Sequence, residues 1–192
     1  MIDPLYTVPF LICVVVAISM KRTSLWRNRV NWIGIIYSSG YLLWGVIAKY
    51  TIENKADTFA YCLMDNHFHF IIRIVNEKEI TQALSNLFNA YAKAFDKQNN
   101  RTGSLFEKHF KRIQIEDETY LTNLIQYVHL NPKHHLDLDY KSFQFSSYQS
   151  IISDKPTKLL RNEVIQLFDS KDNFIYCHDF KNEILSEKHM LE

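Results

Sequence analysis

Apolar and charged positions divide the 192-residue chain into two unlike parts. No charge occurs from Leu5 to Met20, nor again from Trp32 to Ala48, and Lys21, Arg22, Arg27 and Arg29 lie between the two runs. Each run sits near the lower end of the ~17–25 residues that a membrane-spanning helix needs. As a pair they would make a membrane hairpin with its basic loop on the cytoplasmic side. The β-branched triplet Val14-Val15-Val16 suits a buried strand equally well. No basic segment precedes the first run, so it does not read as a signal peptide.

From Asp57 onward the pattern is that of a globular domain. Thr58 to Val75 reads as strand, with Phe59, Tyr61 and Leu63 and then Phe68, Phe70 and Ile72 around a polar break at Asp65-Asn66. Ile80 to Gln98 places Ala83, Leu84, Leu87, Phe88, Tyr91, Ala94 and Phe95 at the three–four spacing of an amphipathic helix. A turn follows at Asn99–Ser104, with Gly103 in it. Asp117 or Glu118 suits the start of a second helix, where a carboxylate meets orphaned amides. That helix buries Leu121, Leu124, Ile125 and Val128 and is expected to end at Asn131-Pro132, because proline disfavours helix in the residue before it. Short segments at Phe143–Ser153 and Val164–Phe168 and a polar tail complete the chain.

Composition narrows the class. Apolar residues make up 47% and charged residues 22%, which excludes wholesale disorder. Four glycines and four prolines exclude collagen-like and linker-rich chains. Cys13, Cys62 and Cys177 are odd in number and far apart, so neither a disulfide framework nor a cysteine zinc site is expected, and the compartment is read as reducing and cytoplasmic. The net charge of +1 excludes a polyanion-binding surface all round, so contact with nucleic acid would need a local patch. Arg101, Lys108, His109, Lys111 and Arg112, interleaved with Leu105, Phe106 and Phe110, form one. Basic groups neutralise phosphates and aromatic rings stack on unpaired bases, although a solvated basic turn beside a strand would show the same residues.

Two further patterns carry chemistry. In His67-Phe68-His69 the imidazoles are two apart on a strand and share a face, as two ligands of a divalent ion would. A pair of core-edge histidines fits the same spacing. Tyr127 and Asn131 lie one helical turn apart, on one face. A tyrosine oxygen can attack a phosphodiester, but with a resting pKa near about 10 it needs a metal or base close by. Packing and a helix end would explain the two residues as well.

Taken together, Tyr61-Cys-Leu-Met-Asp-Asn-His-Phe-His-Phe70, Gly103-Ser-Leu-Phe106, Tyr127-Val-His-Leu-Asn-Pro132 and Phe145-Ser-Ser-Tyr148 occur in an order that resembles the single-tyrosine HUH transposases, in the branch of the REP-associated tyrosine transposases. The likeness runs from about Ala56 to Phe168. It implies an α+β, ferredoxin-like sandwich: a mostly antiparallel sheet with helices on one face. It implies that His67, His69 and Asn131 bind Mg²⁺ or Mn²⁺ and that Tyr127 is the nucleophile. The implied reaction cleaves and rejoins single-stranded or hairpin DNA through a 5′-phosphotyrosine. Arg101, Lys108, Phe110, Lys111 and Arg112 become the expected DNA contacts. Tyr120 is read as packing or DNA contact, since the family uses one tyrosine.

The likeness divides the chain into an atypical hydrophobic segment at 1–55, the transposase domain at 56–150, and a helical extension with a polar tail at 151–192. The family opens with a polar strand that residues 1–55 do not match, and a shifted reading frame upstream of codon 56 would account for this. Such a chain would be a catalytically inactive, DNA-binding remnant, which is the alternative to an active transposase. A membrane protein with a soluble tail ranks third. Monomer and homodimer are both open.

Overall fold

The computed structural model describes residues 12–19, 56–64, 67–98, 100–106, 111–115 and 117–180, with 12–19, 98, 111 and 112 described by backbone alone. Strands β1 (Ile12–Ser19), β2 (Ala56–Leu63), β3 (His67–Ile74) and β4 (Lys111–Ile115) form one antiparallel sheet in the order β2-β3-β1-β4. The helices are α1 (Glu77–Gln98), α2 (Glu118–Leu136), α3 (Tyr148–Ile152), α4 (Arg161–Leu167) and α5 (Lys171–Phe180). The class is α+β, as the sequence led one to expect.

The stretch read as strand around a polar break is a hairpin. The chain reverses after Leu63, and the Met64 amide donates to the His67 carbonyl at 2.8 Å. Alternation with period two survives a reversal unchanged, so the pattern alone does not reveal the turn. At Thr58–Ala60 the β2–β3 register shifts by a bulge, which leaves Phe59 as the extra residue.

The apolar run that also suited a membrane helix supplies the strand between β3 and β4. Val14 lies opposite Ile72 and Gln114, and Ala17 lies opposite His69 and Lys111. A strand with hydrogen-bonded neighbours on both edges is a central strand, a place that an apolar, β-branched run suits. The second run, Trp32–Ala48, and the reading-frame question over the remainder of 1–55 lie outside the described residues. No described helix is long and apolar enough to cross a membrane.

Helices cover both faces of the sheet rather than one. Leu63, Phe70 and Ile72 pack with Leu87 of α1, and the Phe68 and Phe88 rings lie 5.8 Å apart. On the opposite face Ala60, Cys62 and Ile71 join Leu124, Ile125 and Val128 of α2. Both faces of the β2–β3 hairpin are apolar, so water must be excluded from both. Arg73, on the α2 side, pairs with Asp57 at 2.8 Å and with Glu163 at 2.7 Å, tying β2 and β3 to α4.

Helices α3 to α5 fold back onto α2 through a buried polar chain whose directions are determined. His178 Nδ1–H donates to the Phe174 carbonyl at 2.7 Å, which leaves Nε2 as an acceptor. His129 Nδ1–H donates to that atom at 2.9 Å, and His129 Nε2 accepts from the Ser147 hydroxyl at 2.7 Å. Ser147 Oγ in turn accepts the Tyr61 amide of β2 at 2.9 Å. The link between the two rings requires a neutral His178, because its Nε2 must accept. Burial holds His129 well below its ordinary pKa, and His178 is pushed down to about 4.

A pH dependence follows. The unfolded chain takes up these protons near pH ~6.5 and the folded chain only at lower pH, so between the two the unfolded state binds more protons. Stability is therefore expected to be full above pH ~6.5 and to fall as pH drops toward 4, by up to about 1.4 kcal/mol per pH unit for each imidazole. Urea midpoints measured between pH 7.5 and 4.5 check this, and His178→Phe should flatten the slope.

Candidate active site

Helix α2 carries the candidate nucleophile, and both of its ends are set by local chemistry. The Asp117 carboxylate accepts from the Thr119 and Tyr120 amides, so Asp117 is the cap. At the other end the helix does not stop at Asn131-Pro132 but continues to Leu136, where Asp137 adopts a left-handed conformation (φ 53°). The Leu138 amide then returns to the Pro132 carbonyl at 3.1 Å. Proline removes one amide from the ladder but fixes a helix-compatible φ. The added turn brings Lys133, His134 and His135 to the negative end of the helix dipole.

Asn131 is fully buried, and its Nδ2 donates to the Tyr127 carbonyl at 2.8 Å. Its Oδ1 is buried, and the carboxamide lies beside His69. On β3, His69 is 1% exposed, and its ring nitrogens are buried beside the Asn131 carboxamide. The His67 and His69 ring centroids are 5.0 Å apart, and the buried Tyr127 ring lies 5.9 Å from His69. His67, His69, Tyr127 and Asn131, predicted from two separate motifs, thus converge where α2 crosses β3.

Electrostatics favours the ligating form. Burial, with His67 and His135 nearby, pushes His69 down to about 3, while the adjacent Asn131 carboxamide opposes this weakly. His69 is therefore neutral at physiological pH, as a metal-ligating imidazole must be. Imidazole nitrogens of His67 and His69 and the amide oxygen of Asn131 are donors of the kinds a divalent cation takes. Among the described residues no three His, Cys, Asp or Glu side chains are gathered as a metal group.

The expected DNA contacts divide. Arg101 pairs with Asp96 at 2.9 Å and lies over the Phe95 ring, with its side chain only 15% exposed, so it closes the end of α1. Lys108 and Phe110 lie outside the described residues. Lys111 and Arg112 begin β4, and Lys111 shares the transverse row Lys111–Ala17–His69 across the sheet. Tyr120 packs against the core, in agreement with its reading as a packing residue.

Two features escaped the sequence reading. One is the His129–His178 chain, whose members lie 49 residues apart. The other is His135, edge-on to His67 with centroids 5.6 Å apart. The i+4 spacing from Asn131 would have signalled His135 had the helix not been expected to end at Pro132.

Comparison with known proteins gives one family. The profile of the family described as "Transposase IS200 like" matches residues 14–131. The likeness thus begins inside β1, upstream of the motifs that first suggested it. A solved structure of a REP-associated tyrosine transposase bound to a REP hairpin is similar in fold, with a TM-score of 0.57 and 13% identity, covering 82% of this chain and 90% of that one. No curated protein sequence matches the chain. A family profile spanning more than half of the residues, over a sheet and helices arranged as in a tyrosine transposase, makes this chain a member of the IS200-like transposases.

Proposed function

We propose that this transposase cleaves and rejoins single-stranded, hairpin-forming DNA with Tyr127 as its nucleophile. The observation that carries the reading is the gathering of a buried tyrosine, two imidazoles and a buried carboxamide at the α2–β3 contact. A DNA hairpin as partner is supported by the structural neighbour, which is bound to one.

Tyr127 Oη attacks the phosphorus, and the bond from phosphorus to the 3′-oxygen breaks. The phenol proton leaves to solvent and the departing oxygen takes one from water. The products are a 5′-phosphotyrosine and a free 3′-hydroxyl. Attack by another 3′-hydroxyl breaks the bond to tyrosine and rejoins the strands, so the energy of the phosphodiester is retained throughout. His67, His69 and Asn131 would hold Mg²⁺ or Mn²⁺, which supplies Lewis-acid polarisation of the scissile phosphate. The α2 packing against Ile71 and Cys62 keeps the tyrosine from drifting relative to the histidines. Lys111, which shares a cross-strand row with His69, would neutralise a neighbouring phosphate.

The test incubates the protein with hairpin-bearing single-stranded DNA and follows a covalent adduct on a denaturing gel. An adduct is expected with Mn²⁺ or Mg²⁺, none with chelator, and a loss of at least ~10²-fold in His69→Ala. A gel shift with no adduct under either cation would select binding without chemistry.

A further inference from the structure

We propose that His135 is a third imidazole of the same cation site and turns its preference from Mg²⁺ toward ions that favour nitrogen, such as Co²⁺ and Zn²⁺. The inference rests on the reading of His67, His69 and Asn131 as ligands. It adds a residue that lies outside the four motifs.

Because α2 runs one turn past Pro132, Tyr127, Asn131 and His135 follow one another at intervals of four on one stripe. His135 meets His67 at 5.6 Å between centroids and His67 meets His69 at 5.0 Å, with interplanar angles of 83° and 81°. Imidazoles bound to one ion at about 2.1 Å per nitrogen have centroids about 4.5 Å apart at a right angle and about 6.4 Å apart when opposite. Both observed separations fall inside that range. His67 therefore sits between two imidazoles, each at a distance compatible with sharing an ion with it.

The three rings are not drawn up as a finished triad. His135 is exposed at the end of α2, where its ring meets His67. His69 and Asn131, in contrast, are buried. The site thus has a buried part under α2 and an exposed imidazole at its rim.

The chemical consequence is selectivity. Mg²⁺ takes oxygen ligands in a strict octahedron and keeps its water, whereas imidazole suits Zn²⁺ and other ions later in the first row. Two imidazoles and an amide oxygen make a mixed site, and a third imidazole tilts it toward nitrogen.

Titration of the full chain with Co²⁺, followed by its visible absorption, and with Mg²⁺ by calorimetry, tests this without DNA or turnover. His135→Ala is expected to weaken Co²⁺ roughly tenfold or more and to alter its spectrum, with Mg²⁺ affinity little changed. His135→Gln should behave in the same way, and His134→Ala should match the parent chain. If His69→Ala abolishes Co²⁺ binding while both His135 variants bind as the parent does, the role of His135 is overturned and the site stands. If His69→Ala also binds Co²⁺ unchanged, the metal reading itself fails.

Discussion

Tyr127→Phe is expected to abolish covalent attachment to DNA, with cleavage falling by at least ~10³-fold, equivalent to about 4 kcal/mol of transition-state stabilisation. The ring is buried beside His69, and the substitution removes one oxygen while keeping that contact. Folding should be nearly unaffected, and gel-shift affinity for the hairpin should persist within a few-fold. Tyr120→Phe is the companion, because Tyr120 lies two turns earlier on the same helix and packs on the core. An adduct that survives in Tyr127→Phe and disappears in Tyr120→Phe would reassign the nucleophile. Survival in both would remove tyrosine chemistry from α2 altogether.

Phe174→Ala is expected to cost about 3–5 kcal/mol of folding stability, the range for truncating a buried aromatic ring. Phe174 has no exposed surface and touches Tyr148 at 5.6 Å, Phe168 at 4.9 Å and His178 at 4.2 Å between centroids. It thereby joins α3 and α5, and through His129 at 5.8 Å it reaches α2. The cavity would lie beside the His129–His178 hydrogen bond, so collapse into it would misalign a buried polar chain. Urea denaturation gives the magnitude. Tyr176→Ala on the same helix is the control, since that ring is 54% exposed and its loss should change stability by no more than about 0.5 kcal/mol. Because α2 also carries Tyr127 and Asn131, Phe174→Ala should reduce adduct formation at 37 °C more than at low temperature.

Helix α1 and the Asp117 start of α2 were legible because they rest on local signals: a three–four apolar stripe and a carboxylate over free amides. The β2–β3 hairpin was legible as strand but not as two strands. Helix α2 ran past its expected stop because Pro132 loses one amide bond yet keeps a helical φ, and the turn beyond it closes on its own backbone at Leu138. That one turn decided where His135 lies. Arg101 looked like a DNA contact by charge, but Asp96, five residues earlier, takes it as an ion-pair partner.

The sequence by itself determined the types of most elements, the family likeness and the candidate residues of the site, since all of these depend on neighbours a few positions apart. Tertiary structure alone decided that the apolar run at Ile12–Ser19 sits between β3 and β4, and that helices cover both faces. It also decided that His69 and Asn131 are buried side by side. The physical reason is register. A period-two or three–four pattern says which face a residue takes, but which faces meet is set by how β3 lies against β1 and how α2 crosses the sheet.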